Sequence, residues 1–379
     1  MHYRYFKPEL LFDGRKILKD ATLIVREDDA IEDISFEVHE DAIPLEGVLA
    51  PGFINCHCHL ELSHFKGLIP EGTGMTEFLL SVINIRKSGL PYIRQAAEQA
   101  EQEMAASGIV AVADICNGTD TLTQKKYSGI YYHNFIETMG LEESLARKTM
   151  EKALEYYREF DRLFPGRTSI VPHAPYSVSR ELFKLISERK PDLISMHNQE
   201  SRDEMELFQT GKGDMLKLLN AIGIREFSSG KANSLQFAYP FLEAAGTVIL
   251  VHNTFADEES IALTNNSKTY WCLCPNANLY INKVLPPVNL FRKQGVKIVV
   301  GTDSLASNHQ LNMLSELSSI AKEYTEISLE EMLRWITING AEALGIQEWY
   351  GSFEKGKKPG MVNFLVSEVG ENMKIFDNS

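Results

Sequence analysis

The chain has 379 residues, 44% of them apolar and 24% charged, with a formal net charge of −14. That length supports one large core, or a core with a small satellite, and the acidic balance argues against nucleic acid and anionic membranes as partners. There is no run of 18 apolar residues, and the opening MHYRYFKPELLFDG lacks a secretory-type apolar segment, so neither a membrane span nor export is expected.

Residues 1 to about 50 give short strands and turns. Ala21–Arg26 and Ile34–Val38 alternate, and Asp13-Gly14 signals a turn. From residue 50 the pattern changes. Strands are expected at Val48–Cys56, Ile109–Ile115, Gly129–Ile136, Thr168–Val171, Leu193–Met196, Thr247–Val251, Thr269–Leu273 and Val296–Val300. Between them lie amphipathic stretches such as Tyr92–Ser107, Leu145–Phe164, Arg180–Glu188, Phe237–Ala245 and Leu285–Gln294. Strands that are apolar throughout are buried on both faces, as in a parallel sheet. Eight of them alternating with helices predict an α/β fold of the (β/α)8 TIM barrel type, with a doubly wound open sheet as the alternative. Past residue 340 turns return at Gly351-Ser352 and Lys355-Gly356-Lys357, followed by a strand at Met361–Val366. We therefore expect residues 1–49 and 346–379 to form a composite β-sandwich on a barrel of residues 50–345. Gly67–Met75 is glycine-rich and follows the first strand; it serves as a lid, a pocket wall or a plain surface turn.

The organising stretch is Gly52–His64, GFINCHCHLELSH. Side chains two apart on a strand share a face, so His57 and His59 leave the strand end side by side, a natural start for a metal site. Alone such a pair is weak. The other strand ends carry Asp114, Glu137, His173, His197 with Glu200, His252 and Asp303. In barrels the chemistry sits at the C-terminal ends of strands. Four separate strands finishing in His or Asp are hard to explain by packing, and they point to a metal centre. The five cysteines, among them Cys56/Cys58 and Cys272/Cys274, lack zinc-ribbon spacing and are expected as small buried hydrophobes in a reducing cytoplasm. His64, His133 and His309 are expected to be structural. Asn276 and Asn278 are pocket candidates, with backbone capping as the alternative.

Taken in order, PGFINCHCH, HAPYSVS, MHNQES, VHN and GTDSLASN resemble the amidohydrolase superfamily. They lie closest to its mononuclear-zinc branch of guanine, S-adenosylhomocysteine and aminofutalosine deaminases and triazine chlorohydrolases. The resemblance spans residues 48 to 366 and implies the barrel and composite sandwich expected above. It implies one divalent ion, Zn2+ with Fe2+ as the alternative, held by His57, His59, His197 and Asp303. It implies catalytic roles for Glu200 as proton shuttle, and for His252 and Asp303 on the attacking water. His173 is implied to contact substrate, and Glu61 and Asn308 are further candidates. No lysine occurs in SIVPHAPYSVS, which argues against a two-metal site bridged by a carboxylated lysine. Cys274 stands where several relatives have histidine. GSFEKGKKPGMVNFLV resembles the family's C-terminal motif, with Pro359 and Gly360 substituted.

The implied activity is hydrolytic deamination of a heterocyclic amine, a purine nucleoside such as 6-aminodeoxyfutalosine or another N-ribosyl adenine. ETMGLEES holds no arginine before Arg147, which lowers the amino-acid-tailed S-adenosylhomocysteine. Triazine dechlorination and cyclic-amide opening stay open, and a non-enzymatic relative is disfavoured because every ligand is kept. The expected partner is a small molecule, with a homodimer open.

Overall fold

The structure is a computed structural model that describes residues 2–87, 92–230, 233–264, 267–369 and 372–375. Eight parallel strands run in chain order: β1 (Phe53–Cys58), β2 (Ile109–Cys116), β3 (Tyr131–Thr138), β4 (Thr168–Pro172), β5 (Leu193–Asn198), β6 (Thr247–His252), β7 (Thr269–Leu273) and β8 (Lys297–Val300). Neighbours pair in two four-stranded halves, β1 to β4 and β5 to β8. β1, β4, β5 and β7 are buried at every residue, the double-sided burial expected of a barrel with helices outside.

The two halves are joined at residues expected in the site. Between β4 and β5, the His197 N–H donates to the His173 carbonyl at 2.9 Å. Between β8 and β1, the N–H groups of Thr302 and Asp303 donate to the His57 carbonyl at 3.0 and 3.1 Å, and Cys58 bridges to Asp303. Gly301 makes this seam possible, since a Cβ there lies 2.6 Å from the His57 Cβ and 2.8 Å from its backbone.

The helices follow from stripe and cap. Ala146–Leu163 buries Ala146, Met150, Ala153 and Phe160, one face at helical spacing. Arg180–Ser187 starts where Ser179 accepts from the Leu182 N–H, satisfying one of the donors a helix N-terminus leaves free.

The strand expected at Val48–Cys56 is two strands. Ile43–Pro51 belongs to a different sheet, and the barrel starts at Phe53. The break falls at Gly52, where a Cβ meets Val110 at 2.4 Å and the Pro359 carbonyl at 2.7 Å. Continuous apolar character hid the change, because the residues on both sides of the break are buried. In that second sheet, Met361–Phe364, Ile43–Pro51, Tyr3–Phe12, Thr22–Arg26 and Ile31–Ser35 lie in this order, with Ile17–Lys19 paired to Tyr3–Phe12. Both chain ends thus contribute, and Val366–Val369 pairs with Asn372–Ile375 as a separate hairpin. The strand expected at Ile34–Val38 lies earlier, at Ile31–Ser35.

Candidate metal centre and cavity

His57 and His59 stand at the end of β1, with His59 leading into the turn Leu60–Phe65. His197 lies on β5, His252 ends β6, and Asp303 follows β8. The strand ends bring them together. His59 Nε2 lies 3.1 Å from His57 Nε2 and 3.2 Å from His197 Nε2. Asp303 Oδ1 lies 3.5 Å from His57 Nε2 and 3.4 Å from His59 Nε2.

Four ligand arms of 2.0–2.1 Å close a tetrahedron with edges of about 3.3–3.4 Å, and the measured separations scatter about that value. Hydrogen bonding cannot explain the cluster. His197 Nδ1 donates to the His173 carbonyl at 2.9 Å, which leaves its Nε2 a bare lone pair. One hydrogen on His59 Nε2 cannot serve both neighbours. Three nitrogens and a carboxylate oxygen converge with too few protons, and a divalent cation fits them.

Burial and the neighbouring imidazole of His57 bring His59 down to about 4, and burial with the surrounding imidazoles takes His197 well below its ordinary value. Both are therefore neutral, as a metal ligand must be. Burial pushes the Asp303 carboxyl up, but the hydrogen bond from His57 and the imidazoles of His59 and His252 outweigh it and hold the group below the usual carboxylate range. Ser307 fixes its other oxygen, with the hydroxyl donating to Oδ2 at 2.6 Å.

The backbone is strained here. Gln199, His252, Asn253 and Asp303 have φ of 46°, 72°, 57° and 56°, a left-handed region that non-glycine residues rarely adopt. Surrounding bonds hold it. The Asn253 side chain accepts from Asn198 at 2.9 Å and donates to the Leu250 carbonyl at 2.8 Å. Asn55 spans the β1–β8 seam, its amide donating to Thr302 Oγ1 at 2.7 Å while its oxygen accepts from the Thr302 N–H at 3.1 Å.

Glu200 lies beside the cluster, its Oε1 3.4 Å from His252 Nε2. The Glu204 carboxylate accepts from the backbone N–H groups of Gln199 and Glu200 at 3.1 and 3.0 Å, fixing the turn. Burial, with the charges of Asp303 and Glu204, raises Glu200 well above the ordinary carboxyl range. Burial brings His252 down to about 3. The Asn278 amide lies 3.3 Å from His252 Nδ1, so its orientation sets which ring nitrogen carries the hydrogen.

These groups open into one cavity. Its polar side includes His59, His197, Glu200, His252, Asp303, His173, Glu137, Asn117 and Arg86. Its opposite wall is apolar, built by Met75, Phe78, Leu79, Val82 and Ile83 of helix Met75–Lys87 with Leu218, Leu219 and Ile222 at helix Asp214–Ala221. Neither helix carries a motif, so this wall was not legible beforehand. Gly67–Met75 contributes only Met75 to the lining, and two of its three glycines are tied down, with the Gly72 and Gly74 N–H groups donating to the carbonyls of Tyr280 and Ile281.

His173 lines the cavity as expected of a substrate contact, but two other candidates do not. Asn308 donates to the Thr302 carbonyl at 2.9 Å and to Glu316 at 2.7 Å while accepting from the His309 N–H. It is a strut of the β8 loop and lies outside the lining of this cavity. Glu61 stands behind Arg86, which donates to it at 3.1 Å, and accepts from the Asn117 N–H at 3.0 Å. It too lies outside the lining of this cavity. Arg86, Asn117, Asn55, Ser307 and Glu204 went unmarked because singly they are ordinary polar residues. All five cysteines are free and buried, and among the described residues none joins a metal-type cluster. Among those residues no helix is long and apolar enough to cross a membrane.

A model described as the amidohydrolase family matches residues 48–375. A 5-methylthioadenosine/S-adenosylhomocysteine deaminase of Thermodesulfovibrio yellowstonii is 26% identical over 384 residues, covering 94% of this chain and 81% of that protein. An aminodeoxyfutalosine deaminase of Nitratiruptor sp. is 27% identical over 364 residues, covering 91% and 87%. Among solved structures, Helicobacter pylori aminofutalosine deaminase in complex with methylthio-coformycin superposes with a TM-score of 0.80 at 24% identity, covering 96% of this chain and 93% of that one.

Proposed function

This chain belongs to the amidohydrolase family, and from that membership we propose a metal-dependent hydrolytic deaminase whose ion is zinc, with Fe2+ the alternative. The substrate class is an N-ribosyl adenine, 6-aminodeoxyfutalosine being the leading member. The observation that carries the reading is the convergence of His57, His59, His197 and Asp303 beside buried Glu200 and His252. The deaminases named among its relatives support it, each spanned over more than four fifths of its length.

His57, His59, His197 and Asp303 would hold a divalent ion, which would supply Lewis acidity sufficient to bring the pKa of a water molecule to about 7. The protein supplies the rest. Asp303 and His252, both held rigidly, orient the attacking water and take up its proton. Glu200 enters protonated, since burial favours the neutral acid. It donates to the ring nitrogen beside the carbon under attack, then receives the proton that Asp303 and His252 took from the water and delivers it to the departing amine. The carbon–oxygen bond forms, the carbon–nitrogen bond breaks, and ammonia leaves. Proton delivery matters because attack breaks the ring's aromaticity. The apolar wall supports a nucleoside with a largely apolar tail, aryl or thioether, over one without a tail. We further propose residues 1–49 and 346–379 as one unit carrying the barrel of 50–345, which the mixed terminal sheet supports.

Ammonia release from the zinc-loaded protein, assayed against adenosine, methylthioadenosine, aminodeoxyfutalosine, guanine and cytosine, tests this. Release from an adenine nucleoside is expected, falling about 10²–10⁴-fold in Glu200→Gln. Stoichiometric zinc with no ammonia from any member would sink the deaminase reading and favour chloride displacement or cyclic-amide opening.

A further inference from the structure

Glu137, at the end of β3, has a use for one carboxylate oxygen only. Oε2 accepts from the Asn117 side chain at 2.8 Å. Oε1 is buried and accepts no hydrogen bond among the described residues. His197 Nδ1 lies 3.6 Å away and gives its hydrogen to the His173 carbonyl at 2.9 Å. The Glu137 side chain is only 2% exposed and lines the same cavity as the metal cluster. A buried acceptor without a donor is costly, and a ligand donor relieves it.

A second bare acceptor lies beside it. The Ser177 hydroxyl donates its single hydrogen to the Ala174 carbonyl at 3.1 Å. With that hydrogen on the Ala174 side, the 2.7 Å contact between Ser177 Oγ and His173 Nδ1 takes its hydrogen from the ring. That tautomer leaves His173 Nε2 as a lone pair on a ring lining the cavity. A ring nitrogen of His173 lies within 4.8 Å of Glu137 Oε1. We propose that Glu137 and His173 form a paired-acceptor subsite for two neighbouring hydroxyl groups of the substrate, a vicinal diol of the kind a ribosyl group carries. The proposal rests on the nucleoside reading above.

The geometry separates this ligand from its rivals. Two hydroxyls, each about 2.7–2.8 Å from its acceptor, span a gap of that size. A second metal ion is disfavoured, because both His197 nitrogens are committed, leaving two protein ligands where zinc takes three or four. A cationic amine is disfavoured by Arg86, which lines the same cavity and donates to Asn117 at 2.8 Å, the residue that holds Glu137. Neutral hydroxyls meet neither objection.

The test compares methylthioadenosine with its 2′-deoxy and 3′-deoxy forms. Binding is measured by calorimetry on the zinc-loaded Glu200→Gln protein, with and without Glu137→Gln, and zinc is counted in each. The parent is expected to bind the ribonucleoside roughly 10- to 100-fold more tightly than at least one deoxy form, the strength of a hydrogen bond to a charged group. Glu137→Gln should erase that difference by weakening the ribonucleoside alone, with zinc content unchanged. Equal weakening of all three ligands overturns the proposal in favour of a purely electrostatic role. A second zinc equivalent that disappears with Glu137→Gln overturns it in favour of a cation site. Ammonia release from wild type together with a flat deoxy comparison overturns the subsite alone; no binding and no ammonia from any nucleoside overturns both readings. Should Glu137→Gln fail to fold, Ser177→Ala, which releases the His173 tautomer, carries the same comparison with a smaller loss.

Discussion

Asp114 on β2 and the carboxylate of Asp303 after β8 both lie buried at the C-terminal side of the barrel, yet their surroundings differ in kind. Asp114 meets Lys125 Nζ at 2.5 Å and accepts from the Leu60 N–H at 2.8 Å. Lys125, fully enclosed, also donates to Asn134 at 2.9 Å and contacts Cys116 Sγ at 3.2 Å. It lies 5.0 Å from the Tyr132 ring centroid and 5.3 Å from that of Phe160. Burial pushes this ammonium down, but Asp114 and Cys116 outweigh it and hold it above its ordinary value. Here the charges complete one another. Around Asp303, by contrast, imidazole lone pairs converge on a carboxylate, and the protein supplies no cation among the described residues. A buried cluster that is self-sufficient is architecture. One that needs a guest is a site.

Removing the guest should have the largest effect. Dialysis against a chelator is expected to abolish ammonia release and lower Tm, because an ion that binds only the native state stabilises it by mass action. Re-adding zinc should restore both. Turnover that survives with metal below a tenth of an equivalent would refute the contrast from this side.

The self-sufficient cluster should fail differently. Lys125→Met leaves Asp114 buried and unpaired, and is expected to cost about 3–5 kcal/mol in urea unfolding while the folded fraction keeps its zinc. Pairing it with Asp114→Asn should recover part of that loss. A Lys125→Met protein as stable as wild type would show the pair to be dispensable.

The smallest expected effect lies away from the mouth. His133 is buried on β3 against Ser169, ring nitrogen to Oγ 3.0 Å, and burial brings it down to about 4. Its folded value is depressed below the ordinary 6.5, so its contribution is complete above pH 6.5 and is lost as pH falls toward 4. His133→Gln, which keeps a polar partner for Ser169, should narrow the fall in stability between pH 7 and pH 4.5 by on the order of 1–3 kcal/mol. An unchanged profile would mean that this ring does not stay neutral.

What could be read in advance divides along the same line. The eight strand cores and the polar groups that converge at their ends were legible, because fully buried strands are continuously apolar and their polar ends stand out against them. Glu61 and Asn308 lie outside the cavity lining, and a polar residue near a motif looks alike in sequence whether it faces a ligand or props a loop. The break at Gly52 was hidden by apolar residues on both sides. Lys125 and Arg86 carried no local signal, since their partners lie 11 and 25 residues away.

The sequence by itself determined the architecture and which strand ends carry imidazole and carboxylate, because strand periodicity and residue chemistry are local properties. Only the tertiary structure decided which donors converge, which carboxylate oxygen is left without a partner, and which helices wall the cavity. Those depend on the closure of β1 against β8 and β4 against β5, where residues far apart in the chain come within hydrogen-bonding distance.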